Sequence, residues 1–189
     1  MTNNTPPPAP QREAERRFLL HQCPAITFDR ILQMRQFYIL RDATRSYTAR
    51  FRLITDLSTC ETSCIETHKI GTGFDIMETE YPVDPRLYTD LQRLYGIGHE
   101  ITKHRHEVTI DTDTWEIDVY DGDFAGLVVA ELEMDDPHAP FTVPASFGPT
   151  EEVTFWRGMK NFTLSLDGLS NELKSRLHTW YGHTVWKPR

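Results

Sequence analysis

The chain lacks the features that mark several common classes of protein. It has three cysteines, Cys23, Cys60 and Cys64, an odd number without metal-type spacing against histidine. Neither a disulfide framework nor a zinc site is indicated, and the thiols read as reduced ones in a cytoplasmic protein. The longest clean apolar stretch is of the order of Leu127-Val128-Val129-Ala130, too short to cross a bilayer. Met1 to Gln11 is polar and proline-rich, with Pro6, Pro7, Pro8 and Pro10, so it is no secretory signal and reads as a disordered tail. Positive charge is scarce: 20 Lys and Arg against 28 Asp and Glu leave a net charge of −8, which argues against a nucleic-acid surface. A phosphate-cradling glycine loop is also missing, since Gly71-Thr72-Gly73 opens no helix and reads as a hairpin turn. No order of residues suggests a Ser-His-Asp or Cys-His nucleophile.

What is present suits one folded domain. The 189 residues are 39% apolar and 11% aromatic, enough for a real core. We expect residues 1–11 as the tail and residues 12–189 as a single domain. Most of the domain reads as strand: Glu13 to Leu20, Arg35 to Leu40, Ser46 to Thr55, Ser63 to Ile70, Asp75 to Tyr81, Gly98 to Ile110, Thr114 to Tyr120, Leu127 to Met134 and Glu152 to Phe155. The second and third should form a hairpin turning at Asp42-Ala43-Thr44. Two segments read as helix. Asp84 can cap one with Pro85 at its first position and Gly96 as its stop, and Ser170 can cap another that ends before Gly182.

The informative pattern lies on the strands. Side chains alternate between faces with period two, and a half-buried strand has one apolar face and one solvated face of mixed polarity. Here the second face is charged in pairs, strand after strand. Glu13, Glu15 and Arg17 share a face, as do Arg50 with Arg52, Glu78 with Glu80, Lys103 with Arg105, Glu116 with Asp118, and Glu131 with Glu133. Lys69 and Glu152 are single charges in similar contexts. One such pair is only a solvated face, but a sheet gains nothing structural from many of them, because like neighbours repel. The pattern makes sense if these faces line the polar interior of a closed barrel. Its lining would hold six cations (Arg17, Arg50, Arg52, Lys69, Lys103, Arg105) and nine carboxylates (Glu13, Glu15, Glu78, Glu80, Glu116, Asp118, Glu131, Glu133, Glu152). Confined guanidinium and ammonium groups fit phosphate oxygens. Clustered carboxylates fit hard divalent cations such as Mg²⁺ or Mn²⁺. Together they suggest a phosphate chain with its metal.

These residues also resemble, in order, the stations of the CYTH family, the triphosphate tunnel metalloenzymes. Glu13-Ala14-Glu15-Arg16-Arg17-Phe18-Leu19-Leu20 resembles its Glu-x-Glu-x-Lys motif, and Arg35-Gln36-Phe37-Tyr38-Ile39 is similar to its Gln-Gly-Tyr-Leu strand. Arg50-Phe51-Arg52, Lys69, Glu78-Thr79-Glu80, Lys103-His104-Arg105, Trp115-Glu116-Ile117-Asp118-Val119, Ala130-Glu131-Leu132-Glu133, Glu152-Val153-Thr154 and Lys160-Asn161 resemble the stations that follow. The resemblance spans roughly Glu13 to Leu164. It departs from the pattern at Arg17, where lysine is usual, at Phe37, where glycine is common, and at Trp156 and Met159.

The resemblance implies an α+β fold: a closed antiparallel barrel of about eight strands with flanking helices. It implies metal-dependent hydrolysis of a triphosphate, most plausibly inorganic triphosphate. Arg50, Arg52, Lys69, Lys103 and Arg105 would bind phosphate. Glu13, Glu15 and Arg17 would be catalytic, and Glu13, Glu15, Glu131, Glu133 and Glu152 would hold Mg²⁺ or Mn²⁺. Glu78, Glu80, Glu116 and Asp118 would complete the tunnel. Cyclisation of ATP by a class IV-type adenylate cyclase and hydrolysis of thiamine triphosphate remain alternatives, as does a non-catalytic polyphosphate- or nucleotide-binding module. The partner is a small molecule, with neither nucleic acid nor membrane. Alternation turns His104 and His106 away from the tunnel, and they read as surface residues. Trp180, Tyr181 and Trp186 read as helix packing, a lid edge or a homodimer contact.

Overall fold

The alternating segments form strands that build one sheet. The computed structural model describes residues 8–40 and 46–182. Its strands are β1 (Gln11–Glu13), β2 (Glu15–Leu20), β3 (Arg30–Tyr38), β4 (Tyr47–Asp56), β5 (Thr62–Thr72), β6 (Asp75–Val83), β7 (Ile97–Ile110), β8 (Asp113–Tyr120), β9 (Val128–Glu133) and β10 (Thr150–Glu152). They are hydrogen-bonded in the order β1-β6-β5-β4-β3-β7-β8-β9-β2-β10, and all the pairings are antiparallel. The helices are α1 (Tyr88–Tyr95), α2 (Asn161–Asp167) and α3 (Asn171–Tyr181).

The strands number ten rather than about eight, and their hydrogen-bonded order runs from β1 to β10 without closing into a ring. The difference arises at Ala14. The run Glu13 to Leu20 reads as one strand, but it divides there: Glu13 pairs with Ile76 on β6, while Glu15 pairs with Glu133 on β9. The Ala14 carbonyl accepts the Met134 N–H at 2.9 Å. The chain thus passes through one residue from an edge of the sheet to the strand beside the other edge.

Other limits shift for local reasons. β3 starts at Arg30 rather than Arg35, because Leu32 and Met34 are buried among otherwise polar neighbours. The expected turn at Asp42-Ala43-Thr44 lies outside the described residues, as does Trp186, and so does most of the proline-rich tail. β10 spans Thr150–Glu152 rather than Glu152 to Phe155, since the chain enters a 3₁₀ turn at Arg157–Met159 soon after. The caps fall where expected, except that Asp84 and Pro85 open a 3₁₀ turn over Pro85–Leu87, and α1 follows at Tyr88 with no side-chain cap of its own. The Asp84 carboxylate accepts the Arg86 N–H ahead of α1, and the Ser170 hydroxyl accepts the Leu173 N–H at 3.1 Å on α3. Helix α2 has no counterpart in the strand-dominated reading.

Each charged face becomes apolar at one end. Glu15 and Arg17 are followed on their face by Leu19, Arg105 and Lys103 are preceded by Ile101, Asp118 is followed by Tyr120, and Glu131 is preceded by Val129. Leu19, Ile101, Tyr120 and Val129 are all buried in one cluster with Leu164 of α2 and Leu173, Leu177 and Tyr181 of α3. The two helices therefore cover that end of the charged surface. On the opposite face Phe18, Trp115, Ile117, Ala130 and Leu132 pack beneath Phe147 and Phe141, and Phe37 and Phe51 pack against Tyr88 of α1. Burial of large apolar side chains on both faces, at roughly 1.5–3 kcal/mol each, holds the charged layer between two cores.

Candidate active site

A cavity of about 1710 Å³ opens on the charged face and is lined from nearly every strand. Its lining includes Glu13, Glu15, Arg17, Arg50, Arg52, Lys69, Glu78, Glu80, Arg105, Glu116, Glu131 and Glu133. Twelve of the fifteen expected site residues thus come together in one space.

On one side β4 presents Arg50 and Arg52. The Arg52 Nε donates to the buried Gln36 Oε1 at 3.3 Å, and neither arginine has an ion-pair partner among the described residues. Arg50 Nε is buried without an acceptor. Burial, with the neighbouring charges of Arg50 and Arg105, depresses the Arg52 guanidinium to about 10, so it stays protonated at neutral pH in an electrostatically unfavourable place. Lys69 lies beside them on β5, held at 2.5 Å from Glu13 and 2.7 Å from Glu78.

On the other side β8, β9 and β2 bring carboxylates into register. Glu116 stands directly opposite Glu131, and Glu131 opposite Arg17, while Glu15 stands opposite Glu133. Like charges so placed destabilise a sheet unless a cation intervenes. For Glu131 that cation is arginine: Arg17 Nε donates at 2.9 Å and Arg105 Nη2 at 2.7 Å. Burial opposes the Glu131 charge, yet Arg17, Lys103 and Arg105 outweigh it and hold its pKa low. Burial, together with Glu131 and Asp118, lifts Glu116 to about 7 despite its contact with Arg105. Glu13 also rises to about 7, through burial and the charges of Glu15 and Glu78, against the pull of Lys69.

Three expected residues do not line the cavity. Lys103 and Asp118 are fully buried beneath it as an ion pair, and Asp118 also receives Arg105 Nε and Nη2, both at 2.8 Å. Lys103 is thus placed to hold Asp118 and, through it, Arg105, rather than to touch a ligand in the cavity. Burial and the Arg105 charge lower Lys103 to about 8. Glu152 is on β10 opposite Phe18, whose ring lies in the core on the far face. Its carboxylate accepts Arg16 Nη1 at 2.9 Å and the Thr154 hydroxyl at 2.8 Å.

The structure adds residues that the charge pattern did not single out. Gln36 is neutral and fully buried beneath Arg52, and Tyr38 lines the cavity near it. Lys160, next to α2, lines the cavity without an ion-pair partner among the described residues, and burial lowers its pKa. Its place in the order of motifs was visible, but its aim into the cavity depends on α2. Among the described residues no group of three or more His, Cys, Asp or Glu is gathered as a ready-made metal cage. No described helix is long and apolar enough to cross a membrane.

No family model matches the chain. An inorganic triphosphatase of Acetivibrio thermocellus is 27% identical over 143 residues, which cover 76% of this chain and 86% of that protein. The crystal structure of the inorganic triphosphatase NE1496 superposes with a TM-score of 0.58 at 27% identity, covering 83% of this chain and 96% of that one. The chain is CYTH-like. A second crystal structure of NE1496, described as a hypothetical protein, gives a TM-score of 0.56 over 82% of this chain and 98% of that one.

Proposed function

We infer that this CYTH-like chain is a hydrolase that cleaves a triphosphate, inorganic triphosphate first, in the charged cavity. The observation that carries the reading is that Arg50, Arg52 and Lys160 line the cavity with no carboxylate in ion-pair contact among the described residues, while buried donors on Arg17 and Arg50 have no acceptor among them. Buried unpaired donors on cations are costly unless an anion meets them. A linear triphosphate offers several negative oxygens to such a set. Arg50, Arg52, Lys69 and Arg105, with Arg17 and Lys160, would hold the phosphate oxygens. In the same reading the passage of the chain through Ala14 completes a barrel, so the cavity works as a tunnel blocked at one end by α2 and α3.

The carboxylate side fits a hard divalent ion. Glu15 and Glu133 oppose one another without a shared arginine, and Glu13 is reluctant to hold its charge beside them. Glu13, Glu15, Glu133 and Glu131 are the donors that would hold Mg²⁺ or Mn²⁺. Such an ion, when bound, neutralises phosphate charge and makes water a better nucleophile. The chain's own part is to align the phosphates and stabilise the charge that builds on them, since phosphoryl transfer asks for little covalent chemistry. The three cysteines are free thiols among the described residues, consistent with a reducing cytoplasm.

Orthophosphate release from tripolyphosphate, ATP and thiamine triphosphate, each with Mg²⁺ and with Mn²⁺, tests the reading. Turnover greatest with tripolyphosphate and abolished by chelator is the expected result. Tight binding without turnover of any substrate would make the chain a phosphate-binding module instead.

A further inference from the structure

The main chain of Arg17, a cavity cation, is tied to the segment that follows β10. Its N–H donates to the Thr154 hydroxyl at 3.0 Å, and its carbonyl accepts the Val153 N–H at 2.8 Å. The Thr154 hydroxyl in turn donates to Glu152 at 2.8 Å, and the same Glu152 oxygen accepts Arg16 Nη1 at 2.9 Å. The chain of contacts therefore leaves Arg17, passes through Thr154 and Glu152, and returns to the neighbouring residue, Arg16, on the opposite face of β2.

Arg16 is itself pinned. Its Nη2 donates to the Pro137 carbonyl at 2.9 Å, and its guanidinium lies 5.2 Å from the Phe74 ring centre and 5.3 Å from that of Phe141. Its Nε is buried without an acceptor, so the two rings and the two end nitrogens set its position. Phe74 comes from the turn between β5 and β6, and Phe141 from the loop after β9. Three separate segments, β10, the loop after β9 and the turn between β5 and β6, thus converge on a residue outside the cavity lining.

We propose that Arg16, Glu152 and Thr154 are positioning residues that clamp the main chain of Arg17 and so aim its guanidinium into the cavity beside Glu131. This rests on the reading that Arg17 meets the phosphate chain. It gives Glu152 a role other than metal ligand. The physical need is simple. Arg17 divides its donors between Glu131 and the open cavity, and a displacement of about 1 Å at the main chain would cost one of the two. A carboxylate at Glu152 binds both the threonine hydroxyl and the arginine, so each contact fixes the other.

The test uses Thr154→Val, Thr154→Ser, Glu152→Gln and Arg16→Lys in the full chain, with tripolyphosphate as the ligand and Mg²⁺ as the metal. Thr154→Val and Glu152→Gln are expected to raise KM for tripolyphosphate about tenfold, with the Mg²⁺ concentration for half-activity unchanged. Thr154→Ser, which keeps the hydroxyl, should stay within about twofold of wild type. Wild-type KM in both Thr154→Val and Glu152→Gln would overturn the proposal. So would a weakened Mg²⁺ response in Glu152→Gln with KM unchanged, because that is the behaviour of a metal ligand. If Glu152→Gln does not fold, Arg16→Lys takes its place: it keeps the charge but loses the two-ended fork, and the same rise in KM is expected. Hydrogen exchange at the Arg17 amide, read without ligand, separates this proposal from the substrate reading. Slow exchange in wild type and fast exchange in Thr154→Val support the clamp even if tripolyphosphate is not the substrate. Equal exchange in the two overturns the clamp even if it is.

Discussion

The two sides of the cavity manage charge in opposite ways. On the β4 side Arg50 and Arg52 have no ion pair among the described residues, and Arg52 is supported by the neutral Gln36. The side built from β8, β9 and β2 carries more charge but neutralises much of it internally, with Glu131 held by Arg17 and Arg105, and Asp118 by Lys103 and Arg105. The first side has free charge for an anion to satisfy. On the second, among the described residues, the Glu15–Glu133 pair is less neutralised, with Arg17 Nε 3.8 Å from Glu15, and that is where a metal would be most welcome. Counting cations and carboxylates does not reveal this, because it depends on which of them neutralise each other.

Breaking the first side should have the largest effect. Arg50→Ala with Arg52→Ala is expected to weaken tripolyphosphate binding about a hundredfold or more, since each lost charge-assisted contact removes about tenfold or more. Titration calorimetry reads it directly, and a loss under tenfold would show that the unpaired arginines do not meet the ligand.

The buried layer under the second side gives a pH signature. Lys103 is lowered to about 8 by burial and Arg105, so between about pH 8 and its ordinary value near 10.5 the folded state binds fewer protons than the unfolded state. Stability therefore rises with pH across that window, by up to about 3 kcal/mol from this group. Denaturant unfolding of wild type and of Lys103→Met at pH 7.5 and pH 10 should show the wild type gaining relative to the variant. A constant difference would mean that Lys103 is not held against its charge.

On the metal side Glu15→Gln is expected to lower turnover about tenfold or more and to raise the Mg²⁺ requirement, with a smaller change in KM than Arg52→Ala causes. Identical kinetic signatures for the two variants would erase the division of labour between the sides. Without mutation, Mg²⁺ plus tripolyphosphate near 100 times Kd should stabilise the fold by about 2.7 kcal/mol, a Tm rise of several degrees. Either one alone should do less. The smallest effect is expected at Arg17→Lys: turnover a few-fold higher at similar KM, because an ammonium concentrates charge that a guanidinium spreads. A fall instead would show that the fork, with Nε committed to Glu131, is the adapted group.

Period-two alternation is a property of the strand backbone, so the shared faces of Arg50 with Arg52, Glu78 with Glu80 and Glu131 with Glu133 were legible from sequence. Their convergence followed from the oddity of repeated like-charge pairs, and the structure brings most of them to one cavity. Depth was not legible. Lys103 and Arg105 look equivalent two residues apart, yet Lys103 is sealed beneath the cavity while Arg105 lines it. Glu152 satisfies the same strand pattern as Glu131, but its register opposite Phe18 sends it elsewhere. Gln36 carries no charge and so showed only in its likeness to a family motif, and Lys160 depends on α2, a seven-residue helix too short to declare itself by periodicity.

The sequence by itself determined most of the strands, the charged character of one face, the Gly96 stop of α1 and the Ser170 cap of α3, and it pointed to a phosphate chain as the ligand. These follow from local backbone geometry and from residue type. Only the tertiary structure decided the break at Ala14, the layer in which each charge lies, and which cations are already paired. Those depend on which strand stands beside which, and in what register, and hydrogen-bonded neighbours far apart in sequence set both.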